Sequence, residues 1–506
     1  MREPRIRLAE LIASLSFAAD LGMGYPMEQM LRASLVATRL AQHLRLPNEV
    51  VSESYYIALL RHVGCTFGSW YLNVFAGGDD IAFRRRAAVV DHLDHADVGA
   101  LFAYVGTLPG AKPNPTALPD LGEIWVGECE MGMSLAARLG LGSGVQRGMQ
   151  LLWERWDGKG PRGNSGEDLP VSLRVARVAL FAVESSALVG VDATLAALKR
   201  RAGGWFDPGI ADTFVREADT LLGELPAATW DAVQDAEPQP WLWLLEQDVD
   251  RAARAIADMA DLRAPFLHGH SAGVGALAER AARHLGLSEG ELARIRRAAN
   301  MHDIGRHGVP TGVWEKPDRL SDSEWEHVRL HPYYTERILA RSPAFAALGA
   351  LAGMHHQRCD GSGYYRRATA GTLPMGARVI AAADAFQAMT EERPHRPART
   401  PADVAHELAK DMRAGHLDPD AGAAVCEAGG EVAPLIRRDW PAGLSDREVE
   451  VLRLVARGRS KREVADALTV SVNTVDTHVR HVYEKIGVST RAGAAIFAME
   501  HDLLRT

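Results

Sequence analysis

The sequence predicts an all-α protein, and three observations support that fold class. Apolar residues recur with the helical period along most of the chain, as in residues 274–280. No set of segments alternates apolar and polar residues as half-buried strands do. Clusters of chain-breaking residues at 237–240 and 439–443 separate helical regions. These clusters divide the chain into three predicted domains, residues 1–235, 241–436 and 437–506.

Length and composition narrow the class of protein. A chain of 506 residues is too long for a single hydrophobic core, which agrees with three domains. The 47% hydrophobic and 24% charged residues are typical of globular proteins, and a net charge of -8 excludes a protein that is basic throughout. No stretch approaches the ~20 apolar residues needed to cross a bilayer. The four cysteines have no paired spacing. We therefore expect a cytoplasmic protein without a membrane partner.

The first two predicted domains share an ordered set of similar segments. The matching segments are residues 41–47 with 282–288, 59–64 with 300–305, 155–160 with 358–363, 169–175 with 373–379, and 206–208 with 417–419. Shared helical composition explains one or two such matches, but not five in the same order. The pattern indicates an internal duplication.

The second domain concentrates side chains that bind metals. They occur in the order His270, His302 with Asp303, His331, His355 with His356, and Asp384. Imidazole and carboxylate together suit iron, manganese or zinc. An aspartate that bridges two ions allows a two-metal centre to clamp a phosphate and activate a water. Any one of these histidines alone would be read as a core or surface residue. The whole series predicts a metal site.

These residues resemble the HD-GYP branch of the HD phosphohydrolases, a helical fold whose members hydrolyse cyclic di-GMP at a two- or three-metal centre. The motifs concerned are residues 269–271, 302–305, 331–332, 355–356, 360–364, 384–386 and 393–394. The resemblance implies that Asp303 bridges two ions, one held by His270, His302 and Asp384 and the other by His331, His355 and His356. It places Asp303 and Arg306 at the catalytic centre. It also implies phosphate contacts by Arg306, Tyr364, Arg393 and Arg396.

Several positions depart from the family pattern. Arg306 replaces a lysine, Gln357 a glutamate, Tyr365 a proline and Gln387 an aspartate, while Phe266 stands where some members bind a third ion. We therefore expect two divalent ions, iron or manganese. Because a guanidinium is a planar fork and an ammonium a compact point charge, the arginine changes the site. Two functions stay open, a phosphodiesterase acting on a nucleotide such as cyclic di-GMP and a ligand sensor without turnover.

The first domain lacks this series of metal ligands. Aligned on the second domain, Gln29 replaces His270, Arg61 and His62 replace His302 and Asp303, Cys129 falls near His331, Leu152 and Trp153 replace His355 and His356, and Leu180 replaces Asp384. An apolar pair in place of two imidazoles fills space by packing. We expect a degenerate HD-like domain that binds no catalytic metal. A sensing or dimerising role and a plain scaffold are the alternatives.

The sequence of the third domain predicts four short helices. Two begin with a capping box, Ser445 to Glu448 and Ser460 to Glu463. The segment resembles the LuxR-type helix-turn-helix domain over its full length, on residues 444–452, 471–475, 478–479 and 485–488. The resemblance implies that the helix from about Val472 to Lys485 enters the major groove of double-stranded DNA and that a homodimer reads two half-sites.

The residue types on that helix divide into two groups. Asp476, Thr477 and Arg480 are expected to face base edges, and Thr474, His478 and Lys485 to face phosphates. The alternative is a small helical domain that binds another protein. Together the three domains predict a bacterial transcriptional regulator that carries a metal-binding phosphohydrolase domain.

Overall fold

The computed structural model describes residues 6–111, 121–223, 229–431, 440–457, 459–488, 490–501 and 503. Its described residues are mainly helical, and their only strands are Ile6–Arg7 (β1) and Trp243–Leu244 (β2), which pair antiparallel. The predicted all-α class is confirmed. No helix among these residues combines the length and apolarity needed to span a bilayer. The domain boundary predicted at 436/437 lies outside the described residues.

The first half of the chain packs around three helices, α2, α3 and α9, whose side chains are largely buried. Its helices are α1 (Leu8–Gly22), α2 (Gln29–His43), α3 (Asn48–Leu60), α4 (Ser69–Phe75), α5 (Asp80–Ala87), α6 (His95–Val105), α7 (Leu121–Arg138), α8 (Ser143–Gln150), α9 (Val171–Val189), α10 (Val191–Arg201), α11 (Pro208–Arg216), α12 (Ala218–Leu222) and α13 (Thr229–Ala236).

The second half repeats this packing with α15, α16 and α20. Its helices are α14 (Glu246–Asp261), α15 (His270–His284), α16 (Glu289–Met301), α17 (Thr311–Glu315), α18 (Asp322–Leu339), α19 (Pro343–Ala352), α20 (Met375–Thr390), α21 (Pro401–Arg413) and α22 (Pro419–Ala428). A 3-10 turn, Ile304–Gly308, follows α16. This turn places Arg306 beside the end of that helix.

The two halves also share local contacts at equivalent positions. Asp20 accepts a hydrogen bond from the backbone N–H of Met30 at 3.2 Å, near the start of α2. Asp261 accepts one from the backbone N–H of Ser271 at 2.9 Å, near the start of α15, with the same spacing along the chain. A second repeated contact joins an arginine to the aspartate that caps a later helix, Arg174 to Asp207 at 2.7 Å and Arg378 to Asp418 at 2.8 Å. These contacts support the duplication seen in the sequence.

The two halves share one hydrophobic core, which runs from Leu8 to Cys426. The predicted boundary at residues 235–241 lies within this packed unit, since β1 and β2 pair across it. Glu237 in that segment accepts a hydrogen bond from the Tyr56 hydroxyl at 2.6 Å. The first and second predicted domains therefore pack as one body.

A buried ion cluster adds a polar link between the halves. Asp80 of α5 is fully buried and accepts a hydrogen bond from the backbone N–H of Thr311 at 2.7 Å. The same carboxylate accepts one from the buried Arg263 guanidinium at 3.3 Å. Because a buried arginine needs a partner for its charge, these contacts fix α5 against the second half.

The C-terminal segment folds into α23 (Asp446–Ala456), α24 (Lys461–Leu468), α25 (Val472–Ile486) and α26 (Arg491–Glu500). Both predicted capping boxes are present, at Ser445 and at Ser460, so these two helix starts are confirmed. Buried valines and leucines of the four helices form two small clusters of their own. The helices α24 and α25 form the helix-turn-helix.

Candidate metal centre and nucleic-acid interface

Five helices bring the predicted ligands together. His270 begins α15, His302 follows the end of α16, His331 lies in α18, the paired histidines follow α19, and Asp384 lies in α20. Three groups have ligand atoms within 4.8 Å of one another, namely His270, His302 and Asp384; His302, Asp303 and His355; and His331, His355 and His356. The structure therefore places all seven residues in one cluster, and their role as ligands stays a prediction.

Asp303 lies between the two sides of the cluster. Its Oδ2 atom is 3.0 Å from His302 Nε2 and 3.5 Å from His270 Nε2. Its Oδ1 atom is 3.5 Å from His331 Nε2 and 3.6 Å from His355 Nε2. One oxygen thus faces each group of histidines, which is the geometry expected of a carboxylate that bridges two ions.

Backbone carbonyls orient three of the histidines. His302 donates from Nδ1 to the carbonyl of Ala299 at 2.7 Å, and His355 donates to that of Ala352 at 2.7 Å. These bonds leave each Nε2 facing the cluster, as is usual for histidines that bind metals. In each case the acceptor lies three residues before the histidine, in the last turn of the preceding helix.

Pro332 explains the orientation of the third histidine. A proline inside a helix has no N–H, so the carbonyl four residues before it loses its helical partner. That carbonyl belongs to Val328, and His331 Nδ1 donates to it at 2.6 Å. The His-Pro pair thus frees an acceptor that holds the imidazole of His331 in place.

Unsatisfied polar atoms at the centre fit a metal ion. His270 Nε2, His302 Nε2 and both carboxylate oxygens of Asp303 are buried, and among the described residues none of them makes a hydrogen bond of normal geometry, although Asp303 lies within 2.8 to 3.5 Å of Arg306 and the two imidazoles. Buried polar atoms are normally satisfied, so four unsatisfied atoms in one cluster need a cause. Imidazole nitrogens and carboxylate oxygens are donors for iron, manganese and zinc. The described residues of the second half therefore provide possible metal sites.

The electrostatics of the carboxylates favour the forms that bind metals. Burial opposes ionisation of Asp303, but Arg306 and His302 outweigh it and hold the pKa of Asp303 well below its usual value. Burial likewise opposes ionisation of Asp384, and the adjacent imidazoles of His270 and His302 keep its pKa well below the usual value. Both carboxylates are therefore ionised at neutral pH, as metal ligands must be.

The histidines divide into two electrostatic classes. Burial lowers the pKa of His331 to about 4 and holds that of His355 well below its usual value, so both are neutral. Burial also lowers the pKa of His302, but Asp303 and Asp384 outweigh it and raise that pKa to about 10. Binding of an ion by His302 therefore displaces a proton.

Three of the four predicted phosphate-contacting residues border the cluster. Arg306 NH2 is 2.8 Å from Asp303 Oδ2, and its Nε and NH1 atoms are buried without a partner among the described residues. The Tyr364 ring lies 5.0 Å from that of His356. Arg393 NH2 is 3.3 Å from Nδ1 of the first histidine, His270. The phosphate-binding role of these residues stays a prediction.

Arg396 has a different environment. Its NH1 donates to the carbonyls of Met389 at 3.1 Å and Glu391 at 3.2 Å, and its NH2 donates to that of Ala388. Such contacts satisfy carbonyls at the end of α20, which a helix otherwise leaves unpaired. Its predicted phosphate contact remains untested, and a phosphate would have to compete with these carbonyls.

The sequence alone did not identify Glu391, which orients the imidazole of His270. His270 Nδ1 donates to Glu391 Oε2 at 2.9 Å, and Arg393 NH2 donates to the same oxygen at 2.8 Å. Gln387 Nε2 donates to its other oxygen at 2.9 Å. The spacing from Asp384 to Gln387 to Glu391 continues one helical face, which was the available signal.

Replacement of Glu391 should weaken metal binding, although Glu391 is not one of the predicted metal ligands. Glu391→Ala is expected to lower metal affinity by about 10- to 100-fold, because the imidazole of His270 loses the acceptor that orients it. Glu392→Ala is the matched control, since Glu392 is the exposed neighbour. Metal titration of both variants by calorimetry measures the effect. Equal affinities in the two variants would contradict the role assigned to Glu391.

The helix α25 presents most predicted DNA-contacting residues to solvent. Thr474, Asp476, Thr477 and Arg480 are exposed, while His478 is half-buried. Asp476 forms an ion pair with Lys461 of α24, which offsets its negative charge on this surface. The exposed face of α25 therefore has the polar side chains that a groove-reading helix requires.

Lys485 lies at the end of α25 and is partly engaged within the domain. Its ammonium donates to Glu448 Oε2 at 2.7 Å and to the Gly443 carbonyl at 2.9 Å. Glu448 also completes the capping box at the start of α23. The sequence reading missed this contact because the partners are far apart in the chain. The predicted phosphate contact of Lys485 remains untested.

The family comparisons agree with this fold. Residues 254–421 match the family described as HD domain. Residues 442–498 match the family described as bacterial regulatory proteins, luxR family. The chain therefore contains an HD domain and a C-terminal LuxR-type domain, as the sequence motifs predicted.

Relatives of this chain include proteins named as cyclic dinucleotide phosphodiesterases. The 3'3'-cGAMP-specific phosphodiesterase 3 of Vibrio cholerae serotype O1 is 28% identical over 438 residues, which cover 83% of this chain and 94% of the relative. A cyclic di-GMP phosphodiesterase of Thermotoga maritima is 33% identical over 183 residues, covering 36% of this chain and 50% of the relative. The crystal structure of the V. cholerae cyclic GMP-AMP-specific enzyme V-cGAP3 matches with a TM-score of 0.57 and 25% identity, covering 84% of this chain and 98% of that one.

Proposed function

We propose that this chain is a metal-dependent phosphodiesterase that hydrolyses a cyclic dinucleotide and acts together with its DNA-binding domain. The convergence of the seven imidazole and carboxylate side chains, with an Asp303 oxygen toward each group, carries this proposal. The names of the HD-region relatives support a cyclic dinucleotide as the substrate class. We also propose that two ions, iron or manganese, occupy the cluster.

In this proposal His270, His302 and Asp384 would hold one ion, His331, His355 and His356 would hold the other, and Asp303 would contribute one oxygen to each. The ions would polarise the phosphate and lower the pKa of the attacking water. Arg306 binds a phosphate oxygen through its unpaired Nε and NH1 atoms, since guanidinium forms strong hydrogen bonds to phosphate. Arg393, whose NH2 donates a hydrogen bond to Glu391 at 2.8 Å, adds positive charge on the Nδ1 side of His270.

Tyr364 is suited to donate a hydrogen bond to the substrate. Burial, followed by the nearby charge of Asp384, raises the pKa of its phenol above the usual value. The hydroxyl is therefore protonated at neutral pH and can donate to a phosphate oxygen. Its ring packs beside His356, which fixes its position at the edge of the cluster.

An assay with purified full-length protein tests the proposal. The protein loaded with Mn²⁺ or Fe²⁺ should convert cyclic di-GMP or 3'3'-cGAMP into linear dinucleotide or mononucleotides, separated by chromatography. A chelator should stop the reaction and readdition of the ion should restore it. Absence of cleavage of both nucleotides by metal-loaded protein would contradict the proposed activity.

The second candidate function is a ligand sensor without turnover. The observation that favours it is the ion pair between Arg306 and Asp303 Oδ2 at 2.8 Å, which places a cation against the proposed bridging oxygen. A guanidinium is a planar fork and an ammonium a compact point charge, so this contact differs from the one that a lysine would make at the same position. Tight binding of a cyclic dinucleotide without cleavage would identify the sensor, whereas cleavage would identify the phosphodiesterase.

For the LuxR-type domain we propose binding of double-stranded DNA as a homodimer, with α25 in the major groove. Arg480→Ala should cost about 1 to 3 kcal/mol of binding and reduce discrimination between a selected site and a scrambled duplex, because Arg480 would contact base edges. Lys485→Ala should weaken both duplexes alike and flatten the salt dependence by at most about one unit. Titrations at several salt concentrations measure both variants. Unchanged binding in both would contradict the assignment of α25.

A further inference from the structure

A cavity in the first half lies where the second half has its metal cluster. It has a volume of about 190 Å³. Its lining includes Arg61 and His62, which align with His302 and Asp303, and Trp153, which aligns with His356. The remaining walls are mainly apolar, with Leu72, Phe75, Phe83, Leu101 and Phe102 among them. The duplication therefore keeps a concave site in this half, with different chemistry.

Two buried guanidiniums near this cavity form no ion pair with any of the described residues. Arg61 is 8% exposed and Arg177 is 9% exposed. Arg61 lies over the Trp153 ring at 4.5 Å and lines the large cavity, whereas Arg177 lines a smaller neighbouring cavity together with Arg61 and Glu184. In the described parts of the chain, neither guanidinium forms an ion pair or donates a hydrogen bond, and Arg177 NH1 is buried without a partner.

Two of the nearby acids already contact other groups. Glu128 accepts from Arg84 at 3.2 Å, and Glu184 contacts His62 Nε2 at 2.6 Å. Arg61 therefore lines the cavity as a buried cation that forms no ion pair with the described residues, and burial of such a charge is unfavourable unless an anion joins it.

The volume of the cavity limits the size of the ligand that it can hold. A cavity of ~150 Å³ holds a benzene molecule, so about 190 Å³ accommodates one aromatic ring or a short acyl chain with a small polar group. A cyclic dinucleotide is much larger. A guanidinium binds a carboxylate through two parallel charge-assisted hydrogen bonds, and apolar walls favour a hydrophobic body.

We propose that the first half of the chain binds a small carboxylate with an apolar body the size of about one aromatic ring. The carboxylate pairs with Arg61, and the ring contacts the aromatic wall formed by Phe75, Phe83 and Phe102. The first half is thus a ligand-binding domain, and this site is separate from the proposed phosphodiesterase centre.

Binding of defined probes to the full-length protein tests this site. Benzoate and phenylacetate should bind in saturation-transfer NMR, and their neutral analogues benzamide and phenylacetamide should bind at least about 10-fold more weakly. Arg61→Met should reduce binding of both acids by about 10-fold or more. Arg85→Met is the matched control, because Arg85 is exposed on α5 and its loss changes the net charge equally.

A second variant tests the cavity without changing charge. Leu101→Trp should fill the space and abolish binding of both acids while circular dichroism stays that of the parent. Absence of binding of either acid at about 10 mM, the weakest affinity expected for about ten heavy atoms, would overturn the proposal. Equal binding of acids and amides, or unchanged binding in folded Arg61→Met or Leu101→Trp protein, would also overturn it.

Discussion

Asp303→Ala is expected to remove most of the bound metal and to lower phosphodiesterase turnover by more than about 100-fold, because a bridging carboxylate serves both ions at once. The structure supports this expectation with one Asp303 oxygen facing each side of the cluster. Elemental analysis of the purified variant measures the metal, and chromatography of the nucleotide products measures turnover.

Two further variants separate this effect from misfolding and from loss of charge. Asp303→Asn keeps the side-chain volume but removes the charge, so it should also lose most metal. Asp318→Ala removes an exposed aspartate in the same half and should change neither quantity. Unchanged metal content in both Asp303 variants would contradict the bridging role.

Asp80→Ala is expected to lower the free energy of unfolding by about 3 to 5 kcal/mol, the cost of removing one partner from a buried ion pair. The variant leaves the Arg263 guanidinium, which is 1% exposed, without its carboxylate. It also removes the acceptor for the Thr311 N–H across the two halves. Urea unfolding followed by circular dichroism measures the change.

The adjacent aspartate provides the control for this prediction. Asp79 caps α5 by accepting a hydrogen bond from the Ala82 N–H at 2.9 Å. Loss of such a cap costs about 1 kcal/mol, so Asp79→Ala should have a clearly smaller effect than Asp80→Ala. Equal losses of stability would show that Asp80 acts only at the start of its helix and does not join the halves.

Local signals in the sequence predicted the helical class, the capping boxes and the set of metal-binding residue types. These features depend on periodicity or on residues close in the chain, as for Ser445 and Glu448. The orienting role of Glu391 was missed because its partner, His270, lies on a distant helix. The engagement of Arg396 with the carbonyls ending α20 depends on side-chain direction, which spacing alone does not specify.

The contacts between the two halves also could not be predicted from local signals in the sequence. The ordered segment matches predicted a duplication, and the repeated contacts of Asp20 and Asp261 support it. The shared core and the link from Asp80 to Thr311 were not predicted. Repeated segments predict that the two halves have the same fold. The interface between the halves depends on contacts between residues far apart in the chain, which local sequence patterns do not predict.

Anomalous scattering from crystals of the full-length protein loaded with iron tests the central claim most directly. The proposal predicts two strong peaks in the buried cluster, one beside His270, His302 and Asp384 and one beside His331, His355 and His356, with Asp303 between them. A map with no anomalous peak among these side chains, from protein shown to contain iron, would contradict the two-metal centre.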